Sequence, residues 1–201
     1  MRLPGYDYSE AGGYFITICT NNRTCIFSRV HGGSEQKRAR LELTGLGLIV
    51  QDVLNELAEK YGVKISACAI MPNHIHLILM MNGSGVTAGR FVGAFKSVVS
   101  NRWQKICDSR GIAMGKLWQR DFYDHILRNE ADYLEKLKYI DENPDKWQQD
   151  ELFCDKMYGL RVGATLAVAR AEESFGFAKA DAKTYKTPPG DRKGRPYAEE
   201  N

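Results

Sequence analysis

Met71-Pro72-Asn73-His74-Ile75-His76-Leu77-Ile78-Leu79-Met80-Met81 sets two histidines around one isoleucine inside an apolar run. The run is rich in β-formers and alternates, so it predicts a strand. Residues i and i+2 of a strand point to the same face. His74 and His76 then project side by side, a spacing that suits joint grip on one metal ion. Two buried histidines with no metal fit the run equally well, and the rest of the chain must decide.

Upstream, Val63 to Ile70 alternates like a second strand, and Pro72-Asn73 bends the chain between the two. Gly13 to Thr20 is β-branched and aromatic and predicts a third strand. Asn21-Asn22-Arg23 turns the chain. Cys25-Ile26-Phe27 and Leu41-Glu42-Leu43 read as short strands flanking a polar loop, Val30 to Arg40, whose His31 beside Gly32-Gly33 is expected to be exposed. Thr44 is a candidate cap for a helix to about Tyr61, with Leu48, Val53, Leu54 and Leu57 at helical spacing and Gly62 as its stop.

Downstream, Asn82-Gly83-Ser84-Gly85 reads as a turn. A second helix is expected from Thr87 to about Cys107, with an apolar stripe through Phe91, Phe95, Val99 and Trp103. Leu117 to Leu127 is partly strand-like. Asn129 reads as the cap of a third helix, with Glu130 and Asp132 in its first turn and Pro144 after its end. The order β, α, β, β, α, β, α predicts a ferredoxin-like split βαβ fold of the α+β class. Its antiparallel sheet would carry helices on one face and the histidines on a central strand, on the face that the first two helices leave open.

The 201 residues suffice for one core and a tail. We expect a domain over 1–158 and a flexible tail over 159–201, rich in Ala, Gly, Lys and Arg, with a short helix at Ala164 to Ser174. Gly163 to Ala169 and Gly190 to Arg195 can both be encoded by inverted repeats, as if the gene's end had run into a palindrome. Five scattered cysteines with no CxxC pair exclude a zinc ribbon or a disulfide framework and fit a reducing cytoplasm. The start at Met1 lacks the apolar core of a signal peptide, and no apolar run reaches the ~20 residues of a membrane helix.

The net charge of +3 names no partner, but its distribution is uneven. Between Arg90 and Arg128 eight basic residues face three acidic ones, interleaved with Phe91, Phe95, Trp103, Trp118, Phe122 and Tyr123. Cations that meet phosphates and rings that stack on bases suit a nucleic-acid surface. Arg90, Lys96, Arg102, Lys105, Lys116 and Arg120 are the candidates. A solvated helix face over an aromatic core is the plainer reading of the same residues.

In the third helix a core face runs through Tyr133, Leu137 and Ile140. Tyr139 lies about 200° around the helix from Leu137, among charged neighbours. Asn143, four residues on, shares its side.

Met71 to His76, Leu117-Trp118-Gln119-Arg120-Asp121-Phe122-Tyr123-Asp124-His125 and Tyr139-Ile140-Asp141-Glu142-Asn143-Pro144 now join. His74-Ile75-His76 resembles the HUH motif of the single-tyrosine transposases. The three motifs together, in this order, resemble the REP-associated tyrosine transposases, relatives of the smallest insertion-sequence transposases, over roughly Gly5 to Trp147. The resemblance implies that His74, His76 and Asn143 bind a divalent ion, Mg²⁺ or Mn²⁺, and that Tyr139 is the nucleophile. It implies cleavage of single-stranded DNA near a hairpin formed by a palindromic repeat, a 5′-phosphotyrosine intermediate, and rejoining by reversal. Such enzymes act as a monomer or a homodimer, and this one is expected in the cytoplasm, at the nucleoid.

The chemistry agrees with those roles. A phenol of pKa ~10 is a poor nucleophile at neutral pH, and a divalent ion stabilises charge on the phosphate under attack. Two imidazoles are softer than Mg²⁺ prefers, so Mn²⁺ should serve as well or better. A covalent intermediate conserves bond energy, so joining needs no ATP. Tyr123, beside His125, is the runner-up nucleophile. His125 could orient a metal ligand or touch DNA, and a structural part is the plainer reading. Two other functions compete: a domesticated, non-catalytic binder of hairpin DNA, and a metal-dependent hydrolase with water as nucleophile, which leaves no covalent product.

Overall fold

The computed structural model describes residues 12–33, 38–83 and 85–154. The expected tail, its helix and the domain boundary at 158 lie outside them.

Six strands and three helices follow in the order β1 (Gly12–Cys19), β2 (Ser28–His31), β3 (Arg40–Leu43), α1 (Gly45–Tyr61), β4 (Lys64–Ile70), β5 (His74–Met81), α2 (Ala88–Ser109), β6 (Tyr123–Leu127) and α3 (Glu130–Glu142). Four of the strands form an antiparallel sheet in the order β4-β5-β1-β6. Each crossover skips one strand: α1 lies between β1 and β4, and α2 between β5 and β6. This is the expected split βαβ arrangement. β2 and β3 form a separate two-stranded ribbon.

Period-two alternation sorts the sheet into two cores. Tyr14, Ile16 and Ile18 of β1 and Ile75, Leu77 and Leu79 of β5 point one way, into the main core with Leu54, Phe91, Phe95 and Trp103 of α1 and α2. Phe15 and Ile78 point the other way, into a smaller core closed by Ile140, Leu137 and Tyr133 of α3. The helices therefore cover both faces, not one, because α3 has an apolar stripe of its own to bury. Ala67 and Ala69 of β4 face this second core, and side chains that end at Cβ let α3 approach the sheet. A register shift between Ile65 and Ala67 in β4 keeps Ile65 and Cys68 on the main-core side.

The helix ends follow their residues. Thr44, Thr87 and Asn129 each accept a hydrogen bond from a first-turn N–H, and Gly62 closes α1 at φ 62°. Two local expectations fail. Cys25-Ile26-Phe27 is not a strand: Ile26 and Phe27 both donate to the Pro72 carbonyl, at 2.8 and 3.0 Å, and both are buried. Their apolar character serves the core, while the ladder begins at Ser28 and takes in Val30 and His31. His31 is exposed as expected and sits 2.6 Å from Glu42.

One glycine is imposed by packing. A Cβ on Gly47 would stand 2.0 Å from the Phe27 carbonyl oxygen. That carbonyl cannot retreat, because it also accepts from the Thr44 N–H at 2.9 Å and the Thr44 hydroxyl at 3.0 Å. Gly47→Ala should therefore destabilise the fold by about 3 kcal/mol or more, although alanine favours helices. Denaturant unfolding of this variant checks the expectation.

Candidate active site

His74 opens β5 and His76 follows on the same face, toward α3. Both are buried, at 0% and 2% exposure. Their rings lie 4.4 Å apart.

Each imidazole is held by its Nδ1. His74 Nδ1 lies 2.8 Å from Asn73 Oδ1. The Asn73 amide cannot be turned round, since its NH₂ donates to the carbonyls of Arg23 at 3.2 Å and Leu152 at 2.8 Å. Its oxygen is therefore the acceptor, His74 carries its proton on Nδ1, and Nε2 is a bare lone pair. His76 Nδ1 lies 2.9 Å from the Thr17 hydroxyl, its cross-strand neighbour. When it donates there, a second bare Nε2 results. Neither Nε2 has a hydrogen-bond partner.

The other side of the site comes from the end of α3 and the turn after it. Asn143, the C-cap residue, is 3% exposed rather than on a polar surface. Its NH₂ donates to Asp150 Oδ2 at 2.7 Å, and its Oδ1 has no hydrogen-bond partner. Asp150 follows a short 3₁₀ turn, Trp147–Gln149. Its Oδ1 accepts from the Leu152 N–H at 2.6 Å, and its Oδ2 stands 4.0 Å from His74 Nε2. Ligand atoms of His74, His76 and Asp150 all lie within 4.8 Å of one another.

A buried acceptor without a partner costs roughly 1–3 kcal/mol. The two bare imidazole nitrogens cannot satisfy each other, but a cation shared with the Asp150 carboxylate would satisfy both. Burial pushes the His74 pKa down to about 3; the Asn143 side chain opposes this and the Arg23 cation adds to it. Burial, then the neighbouring His74, push His76 down to about 3 as well. Both rings are neutral, the form that binds metal, and Asp150 adds a carboxylate. The residues fit a divalent ion. Mixed nitrogen and oxygen donors suit Mn²⁺ at least as well as Mg²⁺.

Tyr139 caps this cluster. Its ring meets His76 edge-on at 5.1 Å and Phe15 edge-on at 5.8 Å, and 44% of the residue stays exposed. It does not stand clear of the core as its helical position implied, because Phe15 and His76 rise from the sheet to meet it. Tyr139, Asn143, Asp150, Glu142 and Lys146 line an open pocket of about 250 Å³. Partial burial, then Asp150 and Glu151, raise the Tyr139 pKa, with Asn143 opposing. The phenol is protonated at neutral pH and must shed its proton in any attack.

Asp150 and Asn73 escaped the sequence reading. Asp150 lies outside any periodic pattern, and only its closeness to Pro144 and Trp147 hinted at a structured turn. Asn73 stood in the quoted stretch but read as a bend.

The six basic candidates do not converge on this site. Arg90, Lys96, Arg102 and Lys105 belong to α2, across the sheet from the histidines. Lys96 donates to the carbonyls of Gln119, Arg120 and Asp121 at 2.9–3.3 Å, and Arg102 grips Glu56 through two bonds. Lys96 is held by backbone carbonyls, and Arg102 pairs with Glu56 at the surface. Arg90, Lys105, Lys116 and Arg120 are exposed. Trp118 packs on Phe27 and Phe95 and donates to the Lys96 carbonyl at 3.1 Å, so the Trp-Gln motif is scaffold. His125 Nε2 lies 2.8 Å from Asp132 and latches β6 to the first turn of α3, the structural part expected of it. Among the described residues no helix is long and apolar enough to cross a membrane.

Comparisons with known proteins point the same way. The family model described as "Transposase IS200 like" matches residues 13–143. An uncharacterized protein of Haemophilus influenzae is 31% identical over 177 residues, 77% of this chain and 92% of its own. The REP-associated tyrosine transposase of Escherichia coli is 24% identical over 141 residues, 69% of this chain and 70% of its own. A solved structure of a REP-associated tyrosine transposase bound to a REP hairpin superposes with a TM-score of 0.51 at 22% identity, over 73% of this chain and 74% of that one. At that identity the likeness speaks for the fold. The family model spans more than half of the chain and the Haemophilus relative nearly all of its own length: this chain belongs to the IS200-like transposase family.

Proposed function

We propose that this chain is a metal-dependent strand-transfer enzyme that cuts single-stranded DNA beside a hairpin and rejoins it through Tyr139. The observation that carries the reading is the cluster of His74, His76 and Asp150 ligand atoms within 4.8 Å of one another, both Nε2 atoms partnerless, with the Tyr139 ring against His76. His74, His76 and Asn143 are assigned as ligands, with Asp150 as a further donor. Asp150 also holds the Asn143 amide with its oxygen free.

An ion held by these residues would supply charge stabilisation at the phosphate under attack. Tyr139 Oη forms the new bond to phosphorus, the bond to the 3′ oxygen breaks, and the phenol's proton leaves as the 3′ hydroxyl gains one. The products are a 5′-phosphotyrosine and a free 3′ end, which can reverse the step. Phe15 and His76 orient the ring during attack, which is worth more than added acidity in a phenol of raised pKa. The exposed cations Arg90, Lys105, Lys116 and Arg120 are proposed to meet DNA backbone; Lys96 and Arg102 would exchange their present partners to do the same. A hairpin substrate is supported by the hairpin bound in the solved neighbour. The reaction would take place at the nucleoid.

Incubated with a single-stranded hairpin substrate and Mn²⁺, the protein should give a covalent adduct that survives denaturing electrophoresis. Tyr139→Phe should abolish it and Tyr123→Phe should not. An adduct that persists in the first variant and vanishes in the second would move the nucleophile to Tyr123. DNA binding with no adduct would favour the domesticated binder, and cleavage with no adduct the water-using hydrolase.

Mn²⁺ at one hundred times its Kd should stabilise the fold by about 2.7 kcal/mol. In thermal melts His74→Ala and His76→Ala should each lose that increment. Asp150→Ala should weaken Mn²⁺ binding by about 10–100-fold, measured by calorimetry.

A further inference from the structure

The strand-transfer reading leaves Tyr123 without a task, although it is one of three large apolar side chains left exposed among the described residues, at 55%. The other two are Leu134 and Tyr139. Tyr123 opens β6, the outer strand of the sheet. Its side chain shares a face with His125 and Leu127, and Leu127 lies in the α3-side core.

Register ties Tyr123 to the site. Thr17 pairs with His76 on one side and with Tyr123 on the other. Tyr123 and His76 thus stand in one cross-strand row, two strand spacings or about 10 Å apart. Phe15, one pleat along, braces both tyrosines: it meets Tyr139 at 5.8 Å and 81°, and Tyr123 at 6.4 Å and 71°. One buried ring therefore holds the proposed nucleophile and an exposed aromatic face at the sheet's rim.

The geometry points to Tyr123 as a stacking platform for an unpaired nucleobase next to the phosphate that Tyr139 attacks. This rests on the strand-transfer reading and names the part of the substrate that the rim would hold. A lone ring is too small for a protein partner, which needs about 800 Å² per side, whereas a single base needs one ring. The exposed Arg120, three residues before Tyr123, offers charge for the backbone of the same strand. Stacking tolerates any base, so Tyr123 would hold the strand in place without reading its sequence.

The test measures binding apart from chemistry. In a Tyr139→Phe background with Mn²⁺, fluorescence anisotropy compares a labelled oligothymidine with an abasic strand of equal length. Tyr123→Ala should weaken oligothymidine binding about tenfold, within the range of one stacked base, and should shrink the preference for thymidine over the abasic strand. Tyr123→Phe and Tyr123→Trp should keep both, which separates the ring from the hydroxyl and from damage to the fold. An unchanged preference in Tyr123→Ala overturns the proposal, as does a loss that Tyr123→Phe reproduces. The adduct assay with the wild-type chain is independent: a missing adduct with an intact Tyr123 effect defeats strand transfer alone, and an adduct with no Tyr123 effect defeats the platform alone.

Discussion

The hydrogen bond between Asn73 and His74 is the contact on which the site depends. One amide reads three parts of the chain at once: the ring that follows it, the turn at Arg23, and the carbonyl of Leu152. Its backbone oxygen accepts from the Thr20 N–H and hydroxyl as well. Losing this side chain would free the His74 tautomer and would also release the segment that carries Asp150. A metal ligand's orientation and the closure of the chain's last described turn are thus the same interaction, as is common for partners behind metal-bound histidines.

The site stores unfavourable electrostatics in a favourable fold. Apolar burial by α1 and α2 on one face, and by α3 on the other, holds the sheet rigid. That rigidity keeps two bare imidazole nitrogens and a carboxylate close together in a buried place. Natural proteins concentrate such local conflicts where they act. The Tyr139 ring rests edge-on against Phe15 and His76, yet the residue stays exposed enough for its phenol to be reached.

The architecture was largely legible from the chain. Caps at Thr44, Thr87 and Asn129 and the alternation in β1 and β5 are local signals, and each element formed where its residues favoured it. The histidine pair was legible for the same reason, since period two fixes which side chains share a face. The rest depended on tertiary position. The stripe of α3 says that it must bury a face, but which face of the sheet it covers follows from the chain path. The burial of Asn143 follows from the turn that folds back at Trp147. Asp150 was invisible because nothing local distinguishes it from a solvated aspartate. The partners of the basic residues are equally invisible in sequence: nothing local says that backbone carbonyls meet Lys96 or that Glu56 meets Arg102.

The turn after α3 and the start of β5 meet twice, once through the Asn73 side chain and the Leu152 carbonyl and once through the ligand atoms of His74, His76 and Asp150. A cation held by those atoms would clamp the turn against the strand. Linkage is reciprocal, so anything that frees the turn would weaken the cation by the same factor that the cation tightens the turn. The last described stretch of the chain would then report on the site's occupancy through its own mobility.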